Sequence, residues 1–415
     1  MPRQGLVLPL CTRLGYDFAA VKTSPGHTWE AKLMPWRSTL LTSVLVAVGR
    51  CALLAAPSAA LAQEPIKVGH YGSLTGSEAT FGRSTSNGVK MALGELNAAG
   101  GINGRQVQLV EYDDKGEVRE TGAVVTRLVT SDKVVAVIGE VASSLSLAAA
   151  PICQVNGVPM VSPSSTNPAV TLKGDYIFRV CFIDPFQGYV CAKFAHDDKK
   201  ARSAAILIDQ GSAYAVGLAE EFKKNFEKMG GTITTSQSYN KGDQDFSTRL
   251  TAIRSGNPDI IFVPGYYTDV ANIAVQARKL GINAPLLGGD GWDSEDLAKN
   301  AGKAIEGSYY SNHAAPDDPN PAIQNFIQKY QDEYGAVPDA LGALGYDAAN
   351  VVFNALKQTS GEGGAKLRDA IAATKDFNGV TGTINFNATR DAVKPAVILE
   401  LKDGKAKYVT TIKPE

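Results

Sequence analysis

The chain has 415 residues, of which 44% are hydrophobic and 20% are charged, a composition typical of a globular protein. This length exceeds what one hydrophobic core ordinarily supports, so at least two domains are expected. Residues 1–62 hold six basic and two acidic side chains, which leaves the rest with a formal net charge of about −5. A negative balance argues against nucleic acid as a partner, because that binding needs clustered Lys and Arg.

The first 62 residues are predicted to be an export signal with an upstream extension. Arg37 precedes an apolar run at 39–49, and Ala60-Leu61-Ala62 supplies the small residues of a cleavage site. Met34 opens a signal of ordinary length, so residues 1–33 are interpreted as the extension. Cleavage after Ala62 predicts a periplasmic protein. No later apolar run is long enough to span a bilayer, so the mature chain is not expected to insert into a membrane.

Three cysteines follow the signal, and an exported protein meets oxidising conditions. Cys181 and Cys191 flank a short loop and could form a disulfide. Each of them, like Cys153, could equally be a buried free thiol, because spacing alone does not fix the geometry that a disulfide needs.

From residue 66 onward, short β-branched runs alternate with amphipathic segments, the pattern of a parallel sheet with crossover helices. Strands are predicted at 66–70, 107–112, 134–138, 159–161, 204–208, 259–263 and 285–287. Helices are predicted at 83–98, 120–131, 212–228, 269–280, 319–334 and 340–359. The tail differs, with strands predicted at 383–386, 397–401 and 407–412, the last two joined by a tight turn at 402–404.

The strand and helix series runs twice, which predicts two doubly wound, Rossmann-like α/β lobes. The first crossing between lobes is placed near residues 178–187 and the second near 308–313. Lobe I is therefore predicted to comprise 63–182 with 313–378, and lobe II 183–312 with 379–415. Open α/β sheets bind ligands at the carboxyl ends of their strands, so the loops that follow the strands are the candidate site.

Enzyme signatures are missing from the sequence. No glycine-rich dinucleotide or phosphate loop follows a strand, and only His70, His196 and His313 follow the signal as a possible base or metal ligand. Hydrolase chemistry at Ser143 or Ser165 stays open, although nothing near either serine supplies a base. We predict no catalytic residue, no metal and no cofactor.

Hydroxyl residues cluster after two predicted strands, in Ser143-Ser144 and in Ser162-Pro163-Ser164-Ser165-Thr166. Hydroxyls and backbone N–H groups just before a helix can bind a carboxylate without a basic side chain. The same serines and threonine could equally be helix N-caps. Both interpretations remain open from the residues alone.

Asp290 follows another predicted strand and lies between glycines in Gly288-Gly289-Asp290-Gly291-Trp292. Glycines allow a ligand to approach closely, and a carboxylate there could receive an ammonium group, while Tyr214, Tyr266 and Trp292 could wall the cleft. A turn aspartate is the alternative, since Asp is common in Gly-rich turns. A carboxylate site combined with an ammonium site favours an α-amino acid as the ligand.

The mature chain resembles the leucine/isoleucine/valine-binding proteins of branched-chain amino acid transporters along essentially its whole length. The resemblance is carried by the segments 66–76, 92–105, 112–114, 137–139, 162–168, 245–247 and 377–386. It implies a type I periplasmic-binding fold with a hinge of three crossovers. It also implies an extracytoplasmic solute-binding protein that is not an enzyme and that delivers its ligand to a membrane ABC permease.

The resemblance also implies roles for site residues. Ser143, Ser165 and Thr166 would hold the ligand carboxylate, Ser164 would supply a carbonyl, and Asp290 would take the ammonium. Phe81, Tyr214 and Tyr266 match aromatic positions of the cleft, with Phe81 replacing a tyrosine and Asp290 a glutamate. A branched-chain or other apolar amino acid is the expected ligand, and an aromatic acid, urea or a short amide is the alternative.

Overall fold

The structure is a computed structural model that describes residues 64–414. The predicted signal, its cleavage site after Ala62 and the upstream extension lie outside the described residues. Within residues 64–414 no helix is both long enough and apolar enough to cross a membrane.

The first part of the chain builds a sheet of five parallel strands in the order β2-β1-β3-β4-β5. Apolar residues bury these strands between helices, as expected for an all-parallel sheet. We call this sheet and the helices that pack on it the first lobe. Its elements in this part of the chain are β1 (Ile66–Gly72), α1 (Ala79–Ala98), β2 (Val107–Asp113), α2 (Val118–Thr130), β3 (Ala136–Ile138), α3 (Ser143–Val155), β4 (Met160–Ser162) and β5 (Ile177–Arg179).

The next part of the chain repeats the alternation and contributes five parallel strands to a second sheet. We call this sheet and its helices the second lobe. Its elements here are α4 (Asp184–Lys193), β6 (Ser203–Asp209), α5 (Ala213–Lys228), β7 (Thr232–Tyr239), α6 (Ser247–Ser255), β8 (Ile260–Phe262), α7 (Tyr267–Lys279), β9 (Leu286–Gly288), α8 (Glu295–Ala301) and β10 (Tyr309–Asn312). Short helical turns lie at Thr171–Lys173, Phe194–Asp198, Asp290–Trp292 and Gly302–Ile305.

The chain then returns to the first lobe as α9 (Pro321–Tyr334), α10 (Ala340–Gln358), α11 (Gly364–Ala372) and a small hairpin of β11 (Phe377–Gly379) and β12 (Gly382–Ile384). Helix α10 packs directly on α1. Gly345 allows this approach, because a Cβ there would lie 2.5 Å from the carbonyl oxygen of Thr85.

The last two strands, β13 (Ala396–Lys402) and β14 (Lys405–Ile412), complete the second sheet. Strand β13 pairs antiparallel with β10, and β14 pairs antiparallel with β13, so the sheet order is β14-β13-β10-β9-β8-β6-β7. The chain therefore passes between the two sheets three times, and the predicted fold class of two α/β lobes is confirmed. The lobe bounds drawn from the sequence remain a prediction at the level of single residues.

All three cysteines of the described chain are buried free thiols, and burial raises the pKa of each to about 12. In this structure Cys181 and Cys191 therefore form no disulfide.

Candidate functional site

A small cavity lies between the two lobes. Its lining comes from segments that follow the carboxyl ends of parallel strands and from the starts of α5 and α10. The space not filled by atoms is about 210 Å³, including its opening to solvent. Val141, Ser164 and Leu341 line it from the first lobe, and Tyr214, Tyr266, Asp290 and Gly291 line it from the second.

Asp290 forms the acidic end of this cavity. It begins the short helical turn after β9 and is only 4% exposed. Its Oδ1 accepts a hydrogen bond from Gln187 Nε2 at 2.8 Å, and its Oδ2 lies 3.0 Å from His313 Nε2. A carboxylate has about four acceptor positions, so about two remain for a ligand.

Glycines on both sides of Asp290 let aromatic rings approach the backbone. A Cβ on Gly289 would lie 2.3 Å from the hydroxyl oxygen of Tyr214, and a Cβ on Gly291 would lie 3.1 Å from Cε1 of the same ring. The N–H of Gly291 donates to the Tyr214 hydroxyl at 3.2 Å. Larger residues at these two positions would displace the tyrosine that lines the cavity.

Ser164 lies on the first-lobe side of the cavity. It is buried, and within the described residues its hydroxyl has no hydrogen-bond partner. A buried hydroxyl without a partner costs free energy, which a ligand acceptor would recover. Thr166 is also buried, and its carbonyl accepts the N–H of Asp184 at 2.9 Å. Burial raises the pKa of Asp184 to about 8.

Ser143 and Ser165 hold the loops around the cavity together. Ser143 begins α3, and its hydroxyl accepts the N–H of Asn167 at 3.2 Å. The Ser165 hydroxyl lies 2.9 Å from the Glu140 carbonyl oxygen and 2.7 Å from Ser146 Oγ. Both hydroxyls thus have partners within the protein in this structure, and their contacts with a ligand remain a prediction.

The aromatic wall consists of Tyr214 and Tyr266. Their rings stack with centroids 5.4 Å apart and planes 3° apart. Phe81 lies behind this pair, with its ring edge-on to Tyr266 at 5.6 Å, and it does not line the cavity. It therefore supports the orientation of Tyr266.

The expectation that Trp292 walls the cleft does not match its position. The side chain is fully buried in the second lobe, where Nε1 donates to the Val263 carbonyl at 3.0 Å. Gly288 allows this packing, because a Cβ there would lie 2.1 Å from the indole ring. The residue that follows the Gly-Asp-Gly loop turns back into the core instead of toward the other lobe.

Glu140 connects the loops that follow β1, β3 and β4 in the first lobe. Its Oε1 accepts from Ser73 N and Ser73 Oγ, both at 3.0 Å, and its own carbonyl accepts from Ser162 Oγ at 2.8 Å. Burial, together with the charge of the nearby Asp114, raises the pKa of Glu140 to about 8. The acid is therefore largely protonated at neutral pH.

Several residues around the cavity carried no sequence signal. Val141 and Leu341 are ordinary apolar residues in the sequence, and Gln187 and His313 lie in segments that the pattern assigned to lobe crossings. Only the fold brings them to Asp290. Among the described residues, no Lys or Arg lines the cavity, and no group of His, Cys, Asp and Glu is arranged to hold a metal ion.

The chain matches a family model described as periplasmic binding protein over residues 65–406. The chain belongs to the periplasmic binding protein family. Leu/Ile/Val-binding protein homolog 2 of Brucella abortus is 33% identical to it over 372 residues, which cover 88% of this chain and 98% of the relative.

Two solved structures of this family share the fold. A leucine-binding protein, LivK, from Thermotoga maritima has a TM-score of 0.81 at 38% identity, covering 84% of this chain and 99% of its own. The second structure is the branched-chain amino acid transporter substrate-binding protein LivJ from Streptococcus pneumoniae in complex with isoleucine. It has a TM-score of 0.80 at 34% identity, covering 85% of this chain and 100% of its own. The resemblance stated from the sequence and the type I periplasmic-binding fold are confirmed.

Proposed function

We propose that this solute-binding protein closes its lobes around a free α-amino acid with an apolar, branched side chain and delivers it to a membrane ABC permease. The protein acts in the periplasm and does not convert its ligand chemically. The support comes from three relatives: one is named a Leu/Ile/Val-binding protein homologue, one a leucine-binding protein, and one was solved in complex with isoleucine.

The observation that carries the proposal is the unequal chemistry of the two ends of the cavity. Asp290 offers a buried carboxylate to an ammonium, and Ser164 offers an unpartnered hydroxyl to a carboxylate, assisted by the N-terminus of α3. Ser143, Ser165 and Thr166 are proposed to complete the carboxylate site. Each polar end left unpaired in the closed cleft costs about 1–3 kcal/mol, so ligands that lack either group bind weakly.

The apolar part of the ligand is proposed to contact Val141 and Leu341 of the first lobe and the stacked rings of Tyr214 and Tyr266. Selection among aliphatic side chains is modest, because one methylene in an apolar pocket is worth about 1–3 kcal/mol. We therefore expect several branched amino acids to bind, with affinities that differ by factors of about ten to a hundred.

Binding is coupled to lobe closure. Asn167 Nδ2 donates to the Ala213 carbonyl at 2.8 Å, and Ala213 N donates to Ser144 Oγ at 3.0 Å, both across the lobes. The ligand binds the first lobe in an open form, and the second lobe then closes over it because the closed form contains both sets of ligand contacts.

A thermal-shift screen tests the proposal. The purified mature chain is melted with each natural amino acid and with benzoate, urea and acetamide, and leucine, isoleucine or valine should raise the melting temperature most. The compound recovered after incubation should be unchanged. Stabilisation by the aromatic acid, urea or the amide alone would overturn the amino-acid assignment, and conversion of the ligand would overturn the non-enzymatic one.

A further inference from the structure

His313 has an unusual position beside the acidic end of the cavity. It follows β10, its side chain is fully buried, and its ring stacks on Phe182 with centroids 3.8 Å apart. Its Nε2 lies 3.0 Å from Asp290 Oδ2. The ring is therefore held in one orientation, with one nitrogen directed at the carboxylate that is proposed to receive the ligand ammonium.

The surroundings of the second ring nitrogen, Nδ1, indicate which protonation state of His313 the site favours. Nδ1 has no hydrogen-bond partner among the described residues, so a proton there would be buried without an acceptor. A proton on Nε2 donates to Asp290 instead, which favours the neutral Nε2–H tautomer. Burial lowers the pKa of His313, while the adjacent Asp290 opposes that shift.

Two further charged groups act on the ring. Lys394 disfavours the imidazolium form, and Asp293 favours it. Lys394 is buried, and its ammonium lies 3.4 Å from the Val180 carbonyl oxygen. Asp293 accepts hydrogen bonds from Tyr310 at 3.0 Å and from the N–H of Ala340 at 2.7 Å. Asp290 is the acid in direct contact with the His313 ring, so a positive charge on His313 would act mainly on the Asp290 carboxylate.

We propose that His313 is a positioning residue that, when neutral, aims Asp290 at the ligand ammonium and that, when protonated, occupies Asp290 as an internal cation and excludes that ammonium. The inference rests on the proposed function. It assigns the selection of ligands that carry an amine to the pair Asp290 and His313, of which His313 gains a charge when the solution is acidified.

Simple electrostatics predicts that protonation of His313 weakens the binding of an amino acid. With neutral His313, the negative charge of Asp290 is uncompensated until an ammonium enters, so the cleft selects a cationic amine. An imidazolium at 3.0 Å neutralises the carboxylate and repels a second cation in a closed, weakly screening site. Amino-acid affinity should then fall by up to about tenfold per pH unit below the pKa of His313.

The first experiment uses the unmodified protein and two probes of equal shape. L-Leucine and 4-methylpentanoate, which lacks the amine, are titrated by calorimetry at about pH 7.5 and about pH 5.5. Leucine should bind more weakly at the lower pH and 4-methylpentanoate more tightly, so that the preference for leucine shrinks, by up to about tenfold for each pH unit below the pKa of His313. An unchanged preference would overturn the inference.

The second experiment separates charge from shape. In His313→Gln, the amide N–H can still donate to Asp290 but cannot become charged, so leucine affinity at about pH 7.5 should stay within about threefold while its loss in acid disappears. His196→Gln is the matched control, since His196 forms a pair with Asp197 on the second lobe outside the cavity, and it should keep the loss. His313→Leu should bind leucine about tenfold more weakly at both pH values.

The outcomes are distinguishable. If the unmodified protein binds no amino acid at about pH 7.5, the proposed function fails and this inference fails with it. If it binds leucine but His313→Gln retains the full loss in acid, the role of His313 is wrong and the proposed function stands.

Discussion

Asp290 is the residue on which ligand recognition is proposed to depend, because it is the only acid among residues 64–414 that lines the cavity. Asp290→Asn keeps the shape and the hydrogen bond to Gln187 possible but removes the charge. Leucine affinity should fall by about tenfold to a hundredfold, since hydrogen bonds to charged groups are worth about 1.5–3 kcal/mol. Isothermal titration calorimetry measures the leucine affinity of the variant and of the wild type. Asp369→Asn removes an exposed carboxylate of α11 and should leave affinity unchanged; an equal loss in both variants would contradict the assignment.

The sequence correctly predicted some of the residues that line the cavity. The positions of the loops after β3, β4, β6, β8 and β9 follow from strand periodicity. Ser164, Tyr266 and Asp290, which follow these strands, and Tyr214 at the start of α5 do line the cavity. Trp292 does not, because periodicity gives the position of a loop but not the direction of each side chain within it. Leu341 could not be found, since it begins a helix that only the tertiary fold brings to the site.

Among the elements, the start of α1 and the two residues before it make several polar contacts with the second lobe. Lys241 Nζ lies 2.8 Å from both carboxylate oxygens of Glu78, Thr268 Oγ1 donates to the Ser77 carbonyl at 2.7 Å, and Ser294 Oγ donates to Thr80 Oγ1 at 3.0 Å. These bonds join different lobes, so they exist only when the lobes are closed and they stabilise that state.

Glu78→Gln should therefore weaken ligand binding and shift the free protein toward the open form. A partly exposed ion pair is worth about 0.2–1 kcal/mol, so we expect leucine affinity to fall by up to about fivefold, with less difference at high salt. Glu95→Gln is the control, because it breaks an ion pair with Lys329 within the first lobe, and the leucine affinity of this variant should not change. Small-angle X-ray scattering of the free proteins tests closure; an equal radius of gyration for both variants and wild type would argue against the contact.

Element prediction failed where local pattern and burial diverge. Strand β7 reads as polar, with Thr, Ser and Gln at most positions, because it is the edge of its sheet and mostly not buried. Strand β5 overlaps the segment 178–187 that was assigned to the first lobe crossing, so it was not predicted as a strand. Helices α4 and α6 are short and weakly amphipathic, so tertiary packing rather than pattern determines them.

For the whole molecule, buried acids make folding stability depend on pH. The folded pKa of Glu140 is raised to about 8, above an unfolded value near 4.3, so its stabilising contribution is complete below about pH 4 and is lost as pH rises through about 8. Asp184 and Asp339, with pKa values raised to about 8 and about 7, act in the same direction. The free energy of unfolding of the ligand-free protein should therefore decrease between about pH 5 and about pH 8.

Glu140→Gln isolates one contribution, because glutamine resembles the protonated acid at every pH. Denaturant unfolding across this range should show a decrease that is shallower than that of the wild type by up to about 1.4 kcal/mol per pH unit. Parallel curves for the two proteins would show that Glu140 ionises normally. Lys394, with its pKa lowered to about 8, acts in the opposite direction only above this range.

The antiparallel strands β13 and β14 have a consequence for biosynthesis. They cover the open side of β10 and begin only at residue 396, whereas the other strands of that sheet end by residue 312. Until they emerge from the ribosome, β10 is an edge with unpaired backbone groups. The second sheet therefore cannot be completed until residue 412 has been translated, so the second lobe folds fully only after both strands have emerged.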